Sequence, residues 1–325
     1  MKKVVVLTTG GTIASVKNNS NGLFTSGAMS GDTLIDKKKI DAGISVEVDS
    51  VFQVPSNAMS FENLLMLKDK ILEYFIDPQV TGIAITHGTD TLEESSYFLD
   101  LVIDDPRPVV LTGSQRATFE EGTDSYTNIR DAVTAAACPD CRDMGVMVLF
   151  NEYLFSAKYV KKMHAYNVHA FTSFGTGYLG YVDKAKIYMI NRPVHQESYE
   201  IKNPIPKVEI IKASLDGDGA LIDCAAGLGI QGLILEGVGR GHVTPMVARA
   251  AAKAVEKGIF VVITTACEQG RVHPVYDFKG GVVDLKSKGV ITGHDYDSKK
   301  ARIKLIVLLA SGIETKEALQ QAFLY

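Results

Sequence analysis

The chain has 325 residues, enough for two domains and more than one typical core. Apolar residues make up 46% and charged residues 22%, the proportions of a soluble globular protein, and no apolar run approaches the ~20 residues of a membrane span. A net charge of −4 with interspersed signs leaves no basic stripe, which argues against nucleic acid as a partner.

Near the N-terminus, Val4 to Leu7 is an apolar run of strand length that passes through Thr8-Thr9 into Gly10-Gly11-Thr12. It reads as a buried parallel strand. Two glycines permit a sharp turn and leave room for a small ligand. Thr12 then stands at the carboxyl end of a strand, where open α/β sheets place their ligands. A polar, glycine-containing loop follows over Lys17–Gly31, and a second strand is expected over Val46–Val54. Ser60 is expected to cap a helix whose apolar positions Phe61, Leu64, Leu65, Ile71, Leu72 and Phe75 share a face. Strand Val80–Ile85 runs into Thr86-His87-Gly88-Thr89-Asp90-Thr91, followed by a helix over Thr91–Val102. A short strand at Pro108–Leu111, a helix over Tyr126–Ala137 and a strand at Gly145–Phe150 continue the pattern. Strands alternating with helices predict a parallel sheet covered on both faces.

Pro193, Pro204 and Pro206 break the periodicity between Asn191 and Lys207, which marks a linker over residues 191–207. The expected organisation is an α/β protein. A larger, mostly parallel N-terminal domain over 1–190 carries the catalytic loops, and a smaller C-terminal α/β domain covers 208–325. In the latter, Gly232–Glu236 and Ile259–Thr264 read as strands. Thr244-Pro245 opens a helix closed by Gly258, and Ser298–Ser311 is a last long helix ending at Gly312. Met-Lys-Lys leads directly into a core strand with no apolar leader, so the expected location is the cytoplasm. Cys138-Pro139-Asp140-Cys141 is a C-x-x-C in a loop after a helix; without further ligands at matching spacing it reads as free cysteines, not a zinc site.

Two strand ends that each present a threonine beside glycine suggest one site built from two loops. A threonine hydroxyl needs a neighbour to take its proton. Thr12 and Thr89 are the hydroxyls on offer, Asp90 the carboxylate, and Lys162 a base if buried beside Asp90. Burial lowers a lysine pKa and a paired carboxylate raises it, so sequence alone sets no direction. Backbone amides of the glycine turns, Gly11 and Gly88 among them, are suited to a developing oxyanion. Taken singly, each element has a plainer reading as a tight turn, a helix cap or a solvated lysine pair.

Thr9-Gly10-Gly11-Thr12-Ile13-Ala14 and Thr86-His87-Gly88-Thr89-Asp90-Thr91 together resemble both signatures of the bacterial-type L-asparaginases, in order and without substitution. Ser56-Asn57-Ala58-Met59, Thr112 to Arg116, Asn128 to Ala132 and Lys162 also fall where that family has counterparts. The resemblance implies hydrolysis of the side-chain amide of L-asparagine to L-aspartate and ammonia, without a cofactor or metal. Carried over, Thr12 is the nucleophile that forms an acyl-enzyme, and Thr89, Asp90 and Lys162 are the supporting triad. Ser56 and Asn57 hold the substrate carboxylate, Asp90 pairs with its ammonium, and Ser114 offers a backbone contact to the amide. The lid, residues 13 to about 31, closes over substrate. The family forms homotetramers of tight dimers, which implies a homo-oligomer here.

Three departures stand out. Phe24 occupies the place of the family's lid tyrosine and cannot donate a hydrogen bond, so either Thr25 or Ser26 serves or the lid acts differently here. Glu268 and Asp284 are the candidates for an acid supplied by a neighbouring subunit. Gly239-Arg240-Gly241-His242 stands where some members have asparagine. The C-terminal half mixes features of the cytoplasmic and secreted subfamilies. The alternatives are a glutaminase-asparaginase, whose substrate is one methylene longer and is discriminated by only ~1–3 kcal/mol in an apolar pocket, and a non-catalytic nucleotide- or amino-acid-binding module. The second leaves Lys162 unexplained, and no phosphate-binding glycine motif is present.

Overall fold

The apolar run at the N-terminus forms β1 (Lys2–Thr8), with Val4 to Leu7 fully buried. The computed structural model describes residues 1–11, 13, 35 and 40–324, together with the backbone of 16–17 and 24–25. In the first of two compact units, Met1–Ser198, a short antiparallel pair follows, β2 (Val16–Lys17) with β3 (Phe24–Thr25). Next come β4 (Ile44–Ser50), α1 (Phe61–Phe75), β5 (Val80–Thr86), α2 (Leu92–Val102), β6 (Val109–Thr112), α3 (Ser125–Ala136) and β7 (Val146–Phe150). Beyond β7 lie β8 (Tyr153–Ser156), β9 (Lys161–Lys162), β10 (Phe171–Thr172), β11 (Gly180–Asp183) and β12 (Lys186–Met189).

Eight of these strands make one sheet in the order β12-β11-β8-β7-β6-β5-β1-β4. The half from β4 to β7 is parallel, as the strand–helix alternation predicts. The other half is antiparallel, so the sheet is mixed, its parallel part being the half that carries the predicted strand–helix alternation. The cause is local. Phe150 pairs with Tyr153 across Asn151-Glu152, and Asp183 pairs with Lys186 across Lys184-Ala185. All four turn residues have positive φ, between 46° and 68°, the backbone of a two-residue hairpin whose twist matches its strands. β4 is also shorter than expected. After Ser50 the chain leaves the ladder, and the amides of Val51 and Val54 bond to the carbonyls of Thr8 and Thr9.

Ser60 caps α1, accepting from the Asn63 amide while Asn63 returns a bond to the Ser60 amide. Leu64, Leu67, Ile71 and Phe75 face inward. On the other face of the sheet, the alanine-rich side of α3 packs closely: a methyl group on Gly82 of β5 would lie 2.1 Å from the Ala136 carbonyl oxygen. Residues 191–207 carry no helix or strand.

The second unit, Tyr199–Tyr325, holds a parallel sheet β13-β14-β15-β16. Its elements in order are β13 (Val208–Lys212), α4 (Ala220–Gly227), β14 (Gly232–Gly237), α5 (Pro245–Glu256), β15 (Phe260–Thr265), α6 (Val282–Ser287), β16 (Ile291–Thr292), α7 (Ser298–Ala310) and α8 (Lys316–Ala322). Thr244 caps α5 through its hydroxyl, with Pro245 at the first helical position. Asp297 caps α7 by accepting from the Lys300 amide, and Gly312 follows its end at φ 83°. Among the described residues no helix is long and apolar enough to cross a membrane.

Gly82→Ala is expected to lower stability by ~1–3 kcal/mol, because strand and helix must separate to admit the methyl group. Urea denaturation of the variant beside the parent chain measures it; equal midpoints would show that α3 can shift at no cost.

Candidate active site

The carboxyl ends of β1, β5 and β6 lie side by side, and their loops are stitched by backbone bonds. Thr9 N–H donates to Thr86 O at 3.1 Å and His87 N–H to Thr112 O at 2.8 Å. The Thr9 hydroxyl adds a buried bond to the same Thr86 carbonyl at 2.9 Å. Beyond the strand ends, the β1 and β5 loops approach each other backbone to backbone. A methyl group on Gly11 would sit 2.5 Å from both Cα and N of Gly88, and one on Gly88 would sit 2.7 Å from the Ser56 hydroxyl. Only glycine fits either place.

This contact draws Ser56 into the site from a short helical turn over Ser56–Ala58. Ser56 is buried; its hydroxyl accepts from the Asp90 amide at 3.3 Å, and its carbonyl accepts from the Thr91 hydroxyl at 2.8 Å. Asn57 beside it is exposed. Thr89 is buried at 4% exposure. Lys162 reaches in from β9, its Nζ donating to Thr89 Oγ1 at 2.7 Å and to Asp90 Oδ1 at 2.8 Å. The pair is asymmetric. The Lys162 side chain is 13% exposed and that of Asp90 is 66% exposed, so the ammonium is largely withdrawn from water while the carboxylate still faces it. Such an arrangement can exchange a proton at Thr89 and hold a cationic group at the open side of Asp90.

The structure thus brings together Gly11, Ser56, Gly88, Thr89, Asp90 and Lys162. Ser114 follows β6 and is buried, its hydroxyl without a hydrogen-bond partner among the described residues. Thr12 lies outside the described residues. Of the lid, Phe24 and Thr25 are described only as backbone in β3, opposite Lys17 and Val16. In the second unit Asp284 is engaged locally, accepting from the Gly280 amide and the Lys288 ammonium, whereas Glu268 is exposed. The His242 ring stands edge-on to Tyr276 and Phe278.

Two groups support the site in roles that the sequence reading did not assign, although Asn128 stands in a stretch it singled out. Glu93, which reads from sequence as a helix-start acid, is 1% exposed and accepts the Lys162 backbone amide at 2.6 Å, tying β9 to the first turn of α2. Asn128 of α3 donates to Gly113 O at 2.9 Å and to the Asp124 carboxylate at 3.1 Å, while its own oxygen accepts from the Asn151 amide. Asp124 in turn accepts from the amides of Gln115 and Arg116, so the loop after β6 is pinned from α3. Neither role has a local sequence signal, because Glu93 meets Lys162 across 69 residues and Asn128 joins Gly113 and Asn151 across 15 and 23.

His87 is fully buried and its Nδ1 lies 2.7 Å from Gly88 O, a distance that requires a proton on Nδ1. Desolvation holds the imidazole down to about 4, against the opposing pull of the Gly88 carbonyl. The ring is neutral at pH 7, a structural strut behind the glycine contact. Among the described residues no group of three or more His, Cys, Asp or Glu side chains is arranged to hold a metal ion.

Comparison with known proteins matches residues 3–195 to the family model described as asparaginase, N-terminal, and residues 207–323 to the glutaminase/asparaginase C-terminal domain. The chain is 48% identical over 324 residues to an L-asparaginase of Bacillus licheniformis, covering 100% of this chain and 99% of that protein. It is 30% identical over 336 residues to a glutaminase-asparaginase of Pseudomonas fluorescens biotype A, covering 99% of this chain and 90% of that one. Its structure is similar, at a TM-score of 0.89 and 30% identity, to the crystal structure of a probable cytoplasmic L-asparaginase from Campylobacter jejuni, covering 100% of this chain and 99% of that one.

Two outcomes are expected at this site. Glu93→Leu strands the buried Lys162 amide and should cost ~1–3 kcal/mol of stability, read by urea denaturation; an unchanged midpoint would mean that β9 is held without it. Between pH 6.5 and about 4 the unfolded chain binds a proton at His87 that the folded chain does not. Stability is therefore fully present above pH 6.5 and falls as pH drops towards 4, by on the order of 3 kcal/mol from this group. Denaturation midpoints across that range, beside those of His87→Gln, isolate the contribution: the variant should show the shallower slope.

Proposed function

Because the chain belongs to the bacterial-type asparaginase family, we propose that it hydrolyses the side-chain amide of L-asparagine to L-aspartate and ammonia. The observation that carries this reading is Lys162 Nζ held 2.7 Å from Thr89 Oγ1 and 2.8 Å from Asp90 Oδ1, at the end of a strand whose loop touches the Thr8–Gly11 loop. A hydroxyl, a carboxylate and a withdrawn amine at one strand end form a proton-handling set of the kind amide hydrolysis needs.

In this mechanism Thr12 Oγ attacks the side-chain carbonyl carbon, the C–N bond breaks and ammonia leaves. The resulting ester is then hydrolysed by water to aspartate. Thr89 and Lys162 relay the proton from hydroxyl or water, and Asp90 both fixes Lys162 and offers its exposed face to the substrate ammonium. The Ser56 hydroxyl accepts from the Asp90 amide and so keeps its own proton for the substrate carboxylate, with Asn57 beside it. Amides of the Gly11 and Gly88 loops, with the backbone at Ser114, surround the reacting amide. A zwitterion is thereby gripped at both ends, which fixes the distance from its α-carbon to the attacking oxygen. The lid, residues 13 to about 31, closes over bound substrate.

Asparagine is favoured over glutamine because the 48% identical relative is named for asparagine alone, whereas the glutaminase-asparaginase stands at 30%. The Campylobacter jejuni neighbour, named as cytoplasmic, supports the cytoplasm as the place of action, and the family resemblance supports a homo-oligomer.

Ammonia release from the purified chain tests the proposal. Rapid release from L-asparagine, slower release from L-glutamine, loss by ~10³-fold or more in Thr12→Ala and by ~10²–10⁴-fold in Lys162→Met are expected. No release from either amide would overturn the reaction; full activity in Thr12→Ala would overturn the nucleophile.

A further inference from the structure

Helix α3 ends in a dithiol that the amide-hydrolysing reading does not use. Cys138 follows the last turn, and Pro139–Cys141 forms one turn of 3₁₀ helix whose Cys141 amide donates to the Cys138 carbonyl at 3.1 Å. An i-to-i+3 turn of this kind keeps its end Cα atoms within about 7 Å. A disulfide needs about 4.4–6.8 Å, so the backbone already holds the pair close to bonding distance. Both sulfurs are free thiols, and the Cys141 thiol points to the Met189 sulfur at 3.9 Å. The turn is braced from outside: Arg192 donates to the carbonyls of Asp140 at 3.3 Å and Arg142 at 3.4 Å.

The two thiols differ in access and in acidity. Cys141 is fully buried beside the Met189 sulfur, whereas Cys138 is half-buried and lines a surface hollow of about 360 Å³. Lys2 and Lys186 line the same hollow, with Asp41 as the acid. The neighbouring Cys141 thiol brings Cys138 down to about 6, against desolvation and the nearby Asp140 carboxylate, while the Cys138 sulfur and burial push Cys141 up. The more accessible sulfur is therefore the more acidic, and the other is a thiol held behind it. A thiolate of that acidity is a competent attacking group, and the hollow with two lysines suits a small disulfide bearing carboxylates.

We propose that Cys138 and Cys141 form a thiol–disulfide exchange site for low-molecular-mass anionic disulfides of the glutathione type. The Cys138 thiolate attacks one sulfur of the disulfide, forming a mixed disulfide and expelling one thiolate. That departing thiolate takes the Cys141 proton, and the Cys141 sulfur attacks the Cys138 sulfur, expelling the second thiolate. The protein dithiol is oxidised by two electrons to an intramolecular disulfide, and the small disulfide is reduced to two thiols.

The test uses the full chain with the exposed Cys224 and Cys267 both changed to serine and glutathione disulfide as the probe. Intact mass and peptide mapping after incubation at neutral pH should show loss of two hydrogens and a Cys138–Cys141 bond, reversed by dithiothreitol. Adding Cys141→Ser should trap one glutathione on Cys138. Adding Cys138→Ser instead should slow the first reaction by about tenfold or more. A glutathione adduct that persists on Cys138 with Cys141 intact would overturn the resolving role. An undiminished rate in the Cys138→Ser chain would overturn the assignment of the attacking sulfur, and no reaction at all would overturn the site. None of these readings depends on amide hydrolysis.

Discussion

Everything at the candidate site depends on two backbones meeting with nothing between them. Gly11 and Gly88 belong to loops on neighbouring strands, and a single methyl group on either would overlap the other loop or Ser56. That approach sets where Ser56 sits, and Ser56 in turn takes the Asp90 amide and the Thr91 hydroxyl. A few tenths of an ångström of separation would loosen each of these bonds in turn. The glycines are therefore fixed by space, not by flexibility alone.

On this rigid base stands one mobile-looking chemical type, a lysine, held so that it has little freedom. Its backbone is tied by the buried Glu93 carboxylate and its ammonium by Thr89 and Asp90. The two acids have different tasks. Glu93 is dry and acts on the main chain, while Asp90 is wet and acts on the side chain. A long, entropically costly side chain anchored at both ends arrives already ordered, which suits the proton relay proposed at Thr89.

Much of this was legible in the sequence, and the parts that were not share a reason. The apolar runs at Val4 and Val80, the Ser60 and Thr244 caps and the alternation of strand and helix are local signals, and the elements they predict are present. The two glycine–threonine motifs pointed to neighbouring strand ends, and the strand order places β1 and β5 side by side. The antiparallel half was missed because Asn151-Glu152 and Lys184-Ala185 adopt left-handed turns without the glycine that usually advertises them. Glu93 looked like a helix-start acid because its partner lies 69 residues away. Lys162 itself was singled out, but the strand that carries it is two residues long and no periodicity can reveal it. The overrun of β4 had the opposite cause: apolar residues past Ser50 serve the Thr8–Thr9 loop instead of the ladder.

The contrast between those tight hairpins and the long-range stitching of the site also determines where this architecture can grow. Thr9 and Thr86 are joined across 77 residues, and the entropy of closing so long a loop rises only logarithmically, by about 0.6 kcal/mol for each doubling of length. Extra residues between β4 and β5, placed in exposed turns, would leave the strand ends where they are. One residue inserted between Phe150 and Tyr153 would instead turn every side chain of β8 to the opposite face and, through β8, misplace β11 and β12. Length variation is therefore tolerated in the long connection between the site's strands and forbidden in the two-residue hairpins that follow β7.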